Sequence, residues 1–306
     1  MSTAPTDENP TGGNEEHGTV YDALVEADDP RWAFGSGFDD VEADLTAPVP
    51  DGVDPADLAA YCVMLGDDAL VYSHRLTEWV TNAPELEEEV ALANTALDLL
   101  GQARVLLSRA GHLTGTDEDA LAYGRDVPEF RCVALAEPSD DRDFARAVAR
   151  LLVFSSWRLA LLHRLQDSAD PVVAAVAAKG VKEVAYHRDH SARWVLRLGD
   201  GTALSHERMQ AALEWVWPFL GELFRTDPVE RRLADAGVAV DPAEVREEVE
   251  GVLDMVIERA TLTRPDVPEA GTVGGRGGRQ GLHTEKLGHA LAEFQSLARA
   301  HPGATW

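Results

Sequence analysis

From Asp54 onward, apolar residues recur at helical spacing, and the breaks between the runs carry helix-start and helix-stop residues. Asp54-Pro55 supplies an N-cap and a proline at the first helical position; Leu58, Tyr61, Cys62, Leu65, Ala69, Tyr72, Leu76 and Trp79 then follow on one face. Asn82-Ala83-Pro84 ends this helix and opens a second, ELEEEVALANTALDLLGQARVLLSRAG (85–111). Its acids stand in the first turns, its arginines late and Gly111 at the end, the order the helix dipole favours. A third helix is predicted over about 142–166, with Val148, Leu151, Leu152, Leu159 and Leu162 on its buried side. Asp170-Pro171 opens a fourth, which runs to about Leu198 and stops at Gly199-Asp200-Gly201. A fifth is predicted from Ser205 to Phe224, carrying Trp215, Trp217 and Phe219. Two more, near 242–262 and 283–300, flank the loop GTVGGRGGRQG (271–281). No stretch alternates as a strand does. The pattern predicts an all-α bundle with additional C-terminal helices in a single domain over 54–306. Before it, residues 1–20 are polar, acidic and expected to be disordered, and 21–53 form an extended or irregular lead-in.

The glycine-rich loop lacks the preceding strand of a dinucleotide fingerprint and the Gly-Lys-Ser/Thr of a P-loop, so it reads as a flexible linker. The stretch KEVAYHRDH (182–190) carries more chemistry. On a helix Glu183, His187 and His190 stand at i, i+4 and i+7, on one face. A four-helix bundle holding two irons needs one carboxylate from each of two helices and Glu-x-x-His from each of the other two. The third helix, LLVFSSWRLALLHRLQ (151–166), has no carboxylate at all. The second has only Asp98 between Glu89 and Gly111, followed by Gly101 and Gln102. In the fourth, the residue three before His187 is Val184. The residues therefore describe a bundle without a di-metal centre. Two readings of the polar face remain: His187 pairs with Asp98 across the bundle, or Glu183, His187 and His190 hold a single ion. Gly101, costly in a helix interior, predicts a close helix crossing or a tightly shaped cavity.

Charge narrows the partners. The chain of 306 residues holds 27 basic and 54 acidic residues, a net charge of −27, and only three lysines, Lys179, Lys182 and Lys286. Without a basic stripe, nucleic acid and anionic membranes are excluded as partners. The lysine-poor, acid-rich balance is that of a protein from a high-salt, halophile-like setting. Cys62 and Cys132 form no ligand spacing and suggest no disulfide framework. With no signal peptide and no apolar run of spanning length, the expected location is the cytoplasm.

LGDDALVYSHRLTEWVTNAPELEEEVALANTALDLLGQAR (65–104), KEVAYHRDHSARWVLRLGDGT (182–202) and GGRQGLHTEKLGHALAEFQSLARAHPGATW (277–306) together resemble the C-subunit family of the bacterial ring-1,2-phenylacetyl-CoA epoxidases. The resemblance runs from about residue 54 to the C-terminus. It implies a ferritin-like four-helix bundle that is a structural partner of a homologous catalytic A subunit, in which the di-iron centre and the phenylacetyl-CoA site lie. A small B subunit and a reductase E subunit, with flavin and iron–sulfur groups fed by NADPH, complete the complex. The family's metal pattern falls on Leu99, Gln102 and Val184, none a ligand of the right type, and on His187, which survives alone. The remaining carboxylate positions fall near Ser155 or Ser156 and near Asp68 or Ala69. The resemblance thus implies a degenerate site, no cofactor bound by this chain and a hetero-oligomer. The alternative is an autonomous metal-binding bundle using Glu183, His187 and His190. Trp79, Trp157 and Trp215 are interface anchors if exposed and ordinary core residues if not.

Overall fold

A computed structural model describes residues 43–302 and Ala304. The expected disorder of residues 1–20, and the lead-in up to residue 42, lie outside the described residues. The described residues fall in one compact unit and hold ten α-helices and no strand. The helices are α1 (Pro55–Thr77), α2 (Leu86–Thr114), α3 (Phe144–Leu165), α4 (Pro171–Gly199), α5 (Ala203–Val216), α6 (Leu220–Leu223), α7 (Pro228–Asp235), α8 (Arg246–Arg259), α9 (Glu285–Phe294) and α10 (Ser296–Ala300).

The starts are set by side chains. Asp54, Asp143 and Asp170 each accept a backbone N–H of the following first turn, stabilising donors that the helix leaves unpaired. α1 packs along α2, α3 along α4, and α2 against α4, the frame of a ferritin-like four-helix bundle. Tyr72 of α1 meets Phe154 of α3 with ring centroids 4.4 Å apart, closing the core from the other side. α5 and α8 cover α3 and α4.

Several expectations change. α2 continues past Gly111 to Thr114 and ends on Gly115 at φ +78°, where a side chain would be strained. The fifth helix breaks at Val216: Pro218 has no N–H to donate, and Trp217–Phe219 is a 3-10 turn before the short α6. The segment 283–300 splits into α9 and α10. Gly101 faces open space: among the described residues nothing beyond its own helix backbone lies within 4 Å of a Cβ there. The close approaches are elsewhere: a Cβ on Gly66 would stand 2.9 Å from Leu107, and one on Gly180 would stand 3.0 Å from Leu162 and 3.2 Å from Gln102.

The second half of the glycine-rich loop, 277–281, is packed rather than a free linker, while 271–276 is exposed. Arg279 is buried and grips Asp68 of α1 with both terminal nitrogens, at 2.9 and 2.8 Å. Glu222 accepts the N–H of Gly278 and of Ala134, each at 2.7 Å, and a Cβ on Gly278 would run into the Cys132 carbonyl. Trp79 and Trp157 are core residues, 4 % and 1 % exposed, with indole N–H groups donated to Asp140 and to the Leu223 carbonyl. Trp215 is half-buried beneath the Arg146 guanidinium. In the lead-in, the carbonyls of Leu45 and Ala47 accept from Arg109, which is also paired with Asp170 at 2.7 Å in full burial.

Candidate functional site at the bundle centre

The centre of the four long helices is polar. From α3, the Arg158 side chain reaches inward with 1 % exposure. Its Nε donates to Gln102 Oε1 of α2 at 2.9 Å and its Nη1 to the Leu65 carbonyl of α1 at 3.3 Å. Gln102 passes the contact on, its amide donating to Glu183 Oε2 of α4 at 2.9 Å. Burial pushes the Arg158 guanidinium down to about 10, offset in part by the nearby carboxylates of Asp68 and Glu183. Burial likewise raises the Glu183 carboxyl above its ordinary range, although the Gln102 bond pulls the other way. One guanidinium thus contacts α1 and α2 directly, and α4 through a single amide.

Around this centre, Leu99 and Val184 are fully buried and apolar. His187, 1 % exposed, has Nε2 at 2.9 Å from Asp98 Oδ2. His190 Nε2 lies 3.0 Å from Glu88 Oε2, out of hydrogen-bond alignment, and its ring stacks on Tyr186. Glu183, His187 and His190 therefore turn to three different residues of α2 and do not converge on one point. Among the described residues, one group of three metal-capable side chains comes within 4.8 Å, and it is Cys132, Glu137 and His283.

A di-iron centre in this fold needs carboxylates and imidazoles in reach of both ions. A guanidinium and two aliphatic side chains supply none, and a fixed positive charge repels a cation. The donors present do not fit such a centre. Arg158 belongs to no metal-ligand pattern, although it stands in the carboxylate-free third helix. The signal that could reveal it is an arginine on the apolar face of a helix, flanked by Leu151, Leu159 and Leu162. The Cys132, Glu137 and His283 group leaves no such signal, since its members are up to 151 positions apart.

The family model described as phenylacetic acid catabolic protein matches residues 48–306. The C subunit of the 1,2-phenylacetyl-CoA epoxidase of Escherichia coli (strain K12) is 46 % identical over 250 residues, spanning 81 % of this chain and 99 % of that protein. The family match covers every helix of the bundle and both the Arg158 centre and the clamped glycine loop, so the chain belongs to the phenylacetic acid catabolic protein family.

Proposed function

We propose that this chain is the non-catalytic structural subunit of a multicomponent phenylacetyl-CoA 1,2-epoxidase in aerobic phenylacetate degradation. Its partner is a homologous A subunit that holds the di-iron centre, with a B subunit and an NADPH-fed reductase completing the complex in the cytoplasm of a salt-adapted cell. The observation that carries this reading is the Arg158 guanidinium bonded to Gln102 where ligands would have to stand. Leu99, Gln102, Val184 and His187 are on this reading the positions of a former metal site.

The pairing has support of its own on α2. Leu86, Val90 and Leu97 are 70, 50 and 47 % exposed, and with Gly101 they make one outward stripe on a helix whose most apolar stretch is less than half buried. The helix is long and apolar enough to cross a membrane by length and composition, contrary to the expectation from the sequence, yet its other face packs on α1. An apolar stripe around an interior glycine is the surface that a close-packed partner helix covers.

Co-expression with an A-type subunit tests this. A stable hetero-oligomer in which iron follows the A subunit supports it. Two irons on this chain purified alone, or no association at any salt concentration, would refute it.

A further inference from the structure

Outside the bundle centre, three buried side chains converge where the segment after the glycine loop crosses the segment before α3. His283 and Glu137 have fully buried side chains, and Cys132 is fully buried. His283 Nε2–H donates to the Phe130 carbonyl at 2.9 Å, which leaves Nδ1 as the free edge of the ring. That edge faces Glu137 Oε1 at 2.8 Å and Cys132 Sγ at 3.9 Å. The other Glu137 oxygen accepts both the N–H and the hydroxyl of Thr284, each at 2.7 Å, so the carboxylate is held with Oε1 turned to the ring.

Two lone pairs cannot face each other at 2.8 Å, so a positive charge has to lie between Nδ1 and Oε1: a proton or a metal ion. Three features favour the metal. An imidazole fixed through its far nitrogen by a backbone carbonyl, and a carboxylate fixed through its far oxygen, is how proteins orient metal ligands. The thiol has no partner nearer than the ring nitrogen, at 3.9 Å, so a proton-only site leaves it idle. Charge balance agrees. Asp67 is already paired with Arg125 and Asp68 with Arg279, so a thiolate plus Glu137 would match one divalent cation.

We propose that Cys132 Sγ, Glu137 Oε1 and His283 Nδ1 bind a zinc ion that fastens the segment after the glycine loop to the segment before α3. Sulfur, nitrogen and oxygen donors together suit zinc's tetrahedral preference. Tetrahedral zinc bonds would set sulfur and nitrogen ~3.6 Å apart and nitrogen and oxygen ~3.4 Å apart; the sulfur and nitrogen stand at 3.9 Å, and the His283–Glu137 pair, at 2.8 Å, has to open by about 0.6 Å to admit the ion. Binding releases the thiol proton and the proton between Nδ1 and Oε1 to solvent; no electrons move. The site is separate from the bundle centre and does not depend on whether iron sits in this chain or in its partner.

The test is zinc content of the full chain after expression with zinc, together with the absorption spectrum after exchange for cobalt. Close to one zinc per chain is expected, unchanged in His187→Ala and at least tenfold lower in Cys132→Ser and His283→Gln. The cobalt form of the unaltered chain is expected to show a thiolate-to-metal charge-transfer band in the near ultraviolet, a readout that needs no variant to fold. A zinc-free chain, zinc retained in Cys132→Ser, or a cobalt form without that band would overturn the proposal.

Discussion

Arg158 Nε and Gln102 Oε1 lie 2.9 Å apart at the centre of the bundle, a guanidinium of the third helix held by an amide of the second. Replacing Arg158 by Met removes the charged donor to Gln102 Oε1 and leaves that oxygen buried. Loss of one partner from a buried hydrogen bond costs about 1–3 kcal/mol. Urea unfolding of Arg158→Met is expected to show a loss of that size with no gain in iron content. A variant more stable than the parent would mean that desolvation of the guanidinium outweighs its bonds.

Leu99 is buried completely, one turn from Gln102. Leu99→Glu restores a single carboxylate where Gln102 and Val184 remain non-ligands. An unpaired buried carboxylate costs several kcal/mol, so the melting temperature is expected to drop sharply without iron binding. Normal stability together with tight iron binding would contradict the account of the bundle centre.

α1 and α4 are legible because Asp-Pro starts and long apolar periods coincide at Asp54 and Asp170. The same signal at Asp227-Pro228 opens α7, and Asp227 accepts the N–H of Val229, yet the helix is only eight residues long and its apolar period is too short to notice. The glycine loop misled for a different reason. The packing of its second half comes from Asp68 and Glu222, which are distant in sequence, so local composition reports only what the backbone is free to do. Likewise Asp98, Gln102, Glu183 and His187 were visible as candidates, while the group that fills the space between helices came from a residue type that no ligand pattern contains.

Gly101 separates folding from assembly. In an exposed helix interior with open space around the Cβ, Gly101→Ala is expected to stabilise the isolated chain by roughly 0.5–1 kcal/mol. If α2 is the docking face for a catalytic partner, the same change weakens the complex, because the partner's closest approach is lost. Leu97→Arg is expected to leave stability within about 0.5 kcal/mol and to reduce co-elution further. Thermal melts of the chain alone, beside size-exclusion of the mixed subunits, read the two effects independently. A Gly101→Ala chain that is both more stable and fully competent in assembly would remove α2 as the docking face.

His74 gives the fold an acid limb. Its ring stacks on Phe294 of α9, centroids 3.9 Å apart and 6° from parallel, tying α1 to the C-terminal helices. Burial, with Arg75 adding to it, lowers the ring from 6.5 to about 4. The folded state therefore binds fewer protons than the unfolded chain between those two values. The neutral ring's contribution is complete above pH 6.5 and is lost as pH falls towards 4. Between pH 7 and pH 5 the loss attributable to this residue is about 2 kcal/mol. His74→Phe keeps an aromatic face against Phe294 and cannot take up a proton, so its unfolding free energy is expected to fall less over the same interval by that amount. Parallel urea titrations of the two chains at both pH values measure the difference directly, and equal losses would show that His74 already carries its proton in the folded state.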